Sequence, residues 1–239
     1  MRLDVYLTEK GLCKSRTAAQ ELIRSGGVSL GGAVCTNPAA EISADADVQI
    51  IGEQLRYVGR GGLKLEKALS HFGIELSGAV CVDIGASTGG FSDCMLQNGA
   101  SLVYAVDVVR EQLDEKLRCD SRIVSMEQTD IRTAELPQLC DFAGTDVSFI
   151  SLRQVIPHIY RLLKDGGTAA VLIKPQFEAG RSALNKKGIV KDEKIRRRVV
   201  DEITVFAGEC GFSVRGVTES PIHGGDGNIE YLMCLDKRR

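Results

Sequence analysis

From residue 61 onward, short apolar runs alternate with segments of helical length, and that alternation leaves few folds open. Strand-length runs stand at Ala79–Ile84, Leu102–Val106, Ile123–Met126, Thr145–Val147, Ala169–Ile173, Phe212–Val217 and Tyr231–Leu235. Segments long enough for helices separate most of them, at Phe91–Gln97, Glu111–Arg118, Ile150–Leu163 and Lys191–Cys210. A further helix, carrying Leu63, Lys67, Leu69 and Phe72, precedes the first strand. Strands joined through helices must cross over and pair in parallel, so the pattern predicts a mostly parallel α/β sheet covered on both faces. The last two runs are joined by Gly224-Gly225-Asp226-Gly227 with no helix between, which predicts an antiparallel final strand.

The first fifty residues follow a different plan. Ser15 is placed to cap a helix with Ala18, Ala19, Leu22 and Ile23 on one face, and Gly26-Gly27 ends it. Val28-Ser29-Leu30, Gly31-Gly32 and Ala33-Val34-Cys35 read as a tight hairpin, and Val48–Ile51 as one more strand. The chain of 239 residues therefore divides into a small domain over 1–51, a linker over 52–60 and a larger domain over 61–239. Arg2-Leu3-Asp4, Tyr6-Leu7, Ser15-Arg16, Ala19, Ile23-Arg24, Gly26-Gly27-Val28 and Asn37-Pro38 make the small domain resemble the S4 RNA-binding domain. That resemblance implies an RNA partner for Arg2, Lys14, Ser15, Arg16 and Arg24, to which Arg60 of the linker is added.

In the larger domain the run Ala79–Ile84 delivers Asp83 and then Gly85-Ala86-Ser87-Thr88-Gly89-Gly90-Phe91. In doubly wound sheets ligands bind at the carboxyl ends of the strands, and glycines there let the backbone approach them. The spacing is neither the Gly-x-Gly-x-x-Gly fingerprint nor a P-loop. The second strand ends in Asp107, about twenty residues past the loop, where an acid can hold both hydroxyls of a ribose. Asp130, near the end of the third, can accept from an adenine amino group. Loop, ribose acid and adenine acid on successive strands predict S-adenosylmethionine as cofactor. The binding set is Asp83, Gly85, Ala86, Ser87, Thr88, Gly89, Gly90, Phe91, Asp107, Val108, Asp130 and Ile131.

Four further residues stand where surface charges are uncommon. Lys174 ends the apolar run Ala169–Ile173, Asp146 sits in the run at 145–147, Glu230 opens the last strand, and Lys64 lies in the helix after Arg60-Gly61-Gly62. The motifs Arg60–Leu65, Asp146–Leu152, Ile173–Glu178 and Gly227–Leu232 resemble the hemolysin-A-like (TlyA) RNA methyltransferases, and the likeness runs nearly end to end. It implies a Rossmann-like domain related to the FtsJ type and methyl transfer to a ribose 2′-hydroxyl of ribosomal RNA. The implied catalytic tetrad is Lys64, Asp146, Lys174 and Glu230. A ribose hydroxyl must lose its proton as it attacks, and a lysine can accept it if burial and a neighbouring cation lower its pKa. Lys174 is assigned as base, Lys64 as the group that positions the hydroxyl or offsets negative charge, and the acids as orienting groups. The chain departs from the family pattern where Val108-Val109-Arg110 replaces expected glycines, and where Asp130 replaces an expected Asn.

Composition narrows the alternatives. With 44% hydrophobic and 26% charged residues the chain reads as a soluble globular protein, expected in the cytoplasm and without a membrane partner. No apolar run reaches the roughly 18 residues of a membrane span, so a membrane-lytic role has little support. The cysteines are scattered without a Cys-x-x-Cys pair, and no metal site is predicted. Net charge is −2, yet Lys174–Arg198 holds nine basic against three acidic residues, a stretch able to follow a phosphate backbone or simply to form a solvated helix face. The competing reading is a non-catalytic RNA-binding or ribosome-associated factor.

Overall fold

The computed structural model describes residues 1–13, 15–24, 26–43, 46–51, 56–224 and 227–238. The chain forms two compact units, Met1–Arg60 and Gly61–Arg239.

In the first unit, helices α1 (Leu3–Glu9) and α2 (Arg16–Arg24) lie with strands β1 (Val28–Leu30), β2 (Ala33–Val34) and β3 (Val48–Ile50). β1 is central and pairs antiparallel with both neighbours. Leu30 pairs with Ala33, so Gly31 and Gly32 alone make the turn. Both have positive φ, 55° and 83°, the conformation that a two-residue hairpin with right-handed twist demands. Leu3, Leu7, Ala19, Leu22, Ile23, Val28 and Ile42 form the small core.

The second unit opens with α3 (Gly61–Phe72) and then alternates: β4 (Val80–Ile84), α4 (Gly90–Gln97), β5 (Leu102–Val106), α5 (Glu115–Arg118), β6 (Ile123–Met126) and β7 (Cys140–Thr145). It continues through α6 (Ile156–Leu162), β8 (Leu163–Ile173), α7 (Pro175–Glu178), α8 (Glu193–Glu209), β9 (Phe212–Glu219) and β10 (Tyr231–Lys237). The seven strands are ordered β6-β5-β4-β7-β8-β10-β9. Strands β4 to β8 pair in parallel and β10 runs antiparallel to both β8 and β9, as the helix-free connection predicts. The order in which strands are added reverses between β4 and β7, the switch point at which a doubly wound sheet leaves a crevice at its carboxyl ends.

Several elements differ in extent from the sequence reading. The strand before Asp146 runs over Cys140–Thr145 rather than 145–147, because Asp141 and Gly144 interrupt its apolar signal without breaking its pairing. The helix expected over 111–118 is confined to Glu115–Arg118. Glu111 has φ +57°, outside helical geometry, and Glu127 instead accepts the backbone N–H groups of Glu111 and Leu113. The segment from Ile150 starts as a single 3₁₀ turn over Leu152–Gln154 before α6. Gly225 and Asp226 of the last loop lie outside the described residues.

Candidate active site

The sheet gathers charges at its carboxyl edge. Asp146 follows β7, Lys174 follows β8, Glu230 precedes the antiparallel β10, and Lys64 comes from the first turns of α3. Lys64 Nζ donates to Asp146 Oδ2 at 3.2 Å and to Glu230 Oε2 at 2.9 Å. Lys174 Nζ lies 2.6 Å from Asp146 Oδ1 and donates to Ser148 Oγ at 2.8 Å. Asp146 thus bridges two lysines through separate oxygens. Lys64, Lys174 and Glu230 are buried, and the two positive and two negative charges cancel, the condition under which such a cluster tolerates burial.

The electrostatics modify the expectation that the second lysine depresses the first. Burial pulls the Lys64 pKa down, but Asp146 and Glu230 outweigh it and hold the ammonium above its ordinary range. Burial likewise pushes the Asp146 carboxyl up, and Lys64 and Lys174 bring it below its ordinary value. Lys64 is therefore a fixed cation. Neutralising it would take the ion partner from Glu230 and one of two from Asp146, whereas Lys174 has one carboxylate partner and one neutral hydroxyl.

Three supporting residues carried no role in the sequence reading, although all sit inside the motifs it singled out. Ser148 accepts from Lys174. Gln176 donates to Glu230 Oε1 at 3.3 Å. Glu178 accepts from Ser151 Oγ and Leu152 N, both at 2.7 Å, and so clasps the segment after β7 to the segment after β8. Between them, Phe149 is 91% exposed with φ +63°, a conformation that costs a non-glycine residue on the order of 1 kcal/mol. Its ring meets that of Phe177 at 5.0 Å.

The glycine loop lies beside this cluster. Gly85 and Gly89 have φ of +83° and +94°. A Cβ on Gly85 would stand 2.8 Å from the Asp146 carbonyl oxygen, so glycine is what lets the loop and the β7 end meet. Gly85 and Ala86 donate their N–H groups to the Val106 carbonyl, and Ser87 N donates to Asp107 Oδ2 at 2.8 Å. Thr88 accepts from Asp114 N through its carbonyl, and Gly90 begins α4. Asp83 is fully buried; its Oδ2 accepts from Ser92 N and Ser92 Oγ, and its Oδ1 has no partner among the described residues. Burial pushes its pKa up to about 7 against the two Ser92 hydrogen bonds, which favour the charged form.

The remaining members of the expected binding set are placed unevenly. Asp107 takes one backbone donor on each oxygen, from Ser87 and Val109, and a carboxylate oxygen can accept a second. Val108 beside it is 66% exposed. Asp130 lies four residues past the end of β6, and Arg132 grips both its oxygens, holding the carboxyl down at about 2. The Phe91 side chain is buried in the core, close to Gly61 and Gly144, and Ile131 is also buried, so neither offers an exposed side-chain face.

In the first unit, Asp4 is wholly buried and accepts from Arg2, Arg16 and Gln20. Arg2 and Arg16 thus leave one end of each guanidinium toward solvent. Ser15 Oγ accepts from Ala18 N, a helix cap. Arg24 is exposed and Arg60 half-buried; Lys14 lies outside the described residues.

Known proteins settle what this arrangement belongs to. The model of the FtsJ-like methyltransferases matches residues 57–237, and that of the S4 domain matches residues 1–48. The chain belongs to the FtsJ-like methyltransferase family. Hemolysin A of Brachyspira hyodysenteriae is 41% identical over 236 residues, covering 97% of this chain and 98% of that one. TlyA of Mycobacterium tuberculosis, a 16S/23S rRNA (cytidine-2′-O)-methyltransferase, is 38% identical over 238 residues, covering 98% and 89%. A solved Streptococcus thermophilus structure carrying a hemolysin name shares 47% identity at a TM-score of 0.80, covering 100% of this chain and 88% of the other.

This FtsJ-like protein is an S-adenosylmethionine-dependent methyltransferase. Its own residues fit that cofactor: the loop bends through two left-handed glycines, Asp83 Oδ1 is a buried acceptor with no donor among the described residues, and Asp107 keeps acceptor capacity beside the exposed apolar face of Val108. Among the described residues no helix is long and apolar enough to cross a membrane, and no group of three His, Cys, Asp or Glu could hold a metal ion.

Proposed function

We propose that the protein methylates a ribose 2′-hydroxyl of ribosomal RNA, that Lys64, Asp146, Lys174 and Glu230 form its catalytic cluster, and that the target nucleoside is a cytidine. The observation that carries the reading is the Lys64–Asp146–Lys174–Glu230 ion cluster at the carboxyl edge of the sheet, next to the Asp83–Phe91 loop. The cofactor supplies an electrophilic methyl group on a sulfonium. The chain must then place a hydroxyl in line with that methyl and remove its proton as the C–O bond forms.

Lys174 is the base in this reading. The role falls to Lys174 because Asp146 keeps Lys64 as an ion partner when Lys174 turns to the substrate hydroxyl. Lys64 stays charged and stabilises the oxygen as it loses its proton. Asp146 and Glu230 hold the two lysines apart and in register, with Gln176 steadying Glu230. The exposed Phe149 ring offers a flat apolar face on which the target base can stack, a contact worth about 1–3 kcal/mol. Arg2, Arg16 and Arg24 of the S4 unit hold the RNA backbone, and the ribosomal substrate places the protein in the cytoplasm.

The test is to incubate the protein with isotope-labelled cofactor and separated ribosomal RNAs, digest them and locate the label by mass spectrometry. Label on a cytidine 2′-oxygen is expected. Label on a base carbon or nitrogen would overturn the ribose assignment.

A further inference from the structure

We infer that segment 181–191 is a preorganised contact for the RNA phosphate backbone, fixed beside the catalytic cluster by the buried side chain of Asn228. The inference rests on the RNA reading above and adds a second surface to it. The segment follows α7, which itself follows Lys174. Arg181, Lys186, Lys187 and Lys191 on it are exposed, and none has an acidic partner among the described residues. By contrast Arg197 and Arg198, on α8, pair with Glu193 and Glu202.

Solvated lysines on a surface loop ordinarily need no internal scaffold. Here there is one. Asn185 Oδ1 accepts the backbone N–H groups of Lys187 and Ile189, at 2.8 and 3.0 Å, and Gly188 N donates to the Asn185 carbonyl. Asn228 is 1% exposed; its Oδ1 accepts from Val190 N and its Nδ2 donates to Gly188 O, both at 3.1 Å. Arg196 grips the carbonyls of Val190 and Lys191. Asn228 stands two residues before Glu230, so the cations are held at a fixed station relative to the cluster.

The chemistry selects a polyanion. The segment has no exposed large apolar side chain with which to enter a lipid surface, and its charges follow one continuous stretch of backbone. Lysines so placed displace counterions from successive phosphates, which adds affinity without reading sequence.

The full-length protein carrying Lys186→Ala, Lys187→Ala and Lys191→Ala tests this against ribosomal RNA. The slope of log affinity against log salt should become shallower by about 2–3. The KM for RNA should rise about tenfold, while kcat at saturating RNA and the KM for cofactor stay unchanged. Lys→Arg at the same three positions should restore binding. An unchanged salt slope, or a fall in kcat with the RNA KM unaltered, would overturn the inference. Should the unmodified protein methylate no ribosomal RNA, the functional reading fails, yet the salt slope of binding still tests the segment.

Discussion

Asp83 shows at residue scale how the burial of a charge opposes stability. Its carboxyl is sealed from water, one oxygen has no partner among the described residues, and its pKa is pushed up to about 7. The folded chain therefore holds a proton that the unfolded chain releases near its ordinary value. That preference favours the fold at low pH and is lost as pH rises from about 4 through about 7, at up to about 4 kcal/mol. Asp83→Asn keeps an oxygen for the two Ser92 donors and cannot ionise. Its melting temperature should exceed that of the unmodified protein by a margin that widens between pH 5 and pH 8, while cofactor affinity falls. A margin that stays constant across that range would show that Asp83 does not titrate there. Such a residue could be named from the sequence because it follows an apolar run and precedes a glycine. Its missing partner could not, since that depends on how Ser92 folds back onto one oxygen only.

At element scale, the site is made by strand ends and the turns that follow them. Gly85 is the position where two of these ends touch. A Cβ there meets the Asp146 carbonyl at 2.8 Å and the Val147 Cα at 3.2 Å, on a backbone with φ +83°. Gly85→Ala should cost about 1–3 kcal/mol in chemical denaturation and reduce methyl transfer further by displacing Asp146. Full activity in that variant would show that the turn tolerates a side chain without moving β7. The alternation of apolar runs and helices made the parallel sheet and the antiparallel last strand legible. The ends of elements were less so. The start of β7 was hidden by Asp141 and Gly144, and the short α5 by a left-handed Glu111 that Glu127 stabilises. The same Glu127 contacts show how the chain forms the turn after Asp107 without the expected glycines.

For the whole molecule, the S4 unit and the methyltransferase unit bring RNA affinity and chemistry to one chain. In the first unit Arg2 and Arg16 share the buried Asp4, so part of their charge is offset within the fold, whereas Arg24 is exposed. Arg24→Gln should reduce the salt slope of RNA binding by about 1 and leave cofactor affinity unchanged. Loss of both would point to a folding defect instead. The tetrad residues were visible in the sequence as charges at strand ends and in the following helix. That Asp146 bridges both lysines, and that Lys64 is thereby held as an ammonium, follows only from the packing of four elements separated by up to 166 residues. The direct test is a pair of measurements on Lys174→Ala: single-turnover methyl transfer to ribosomal RNA, and cofactor affinity by calorimetry. Transfer should fall by about 10²-fold or more with cofactor affinity within a few-fold of the unmodified protein. Near-normal transfer would contradict the assignment of Lys174 as the base.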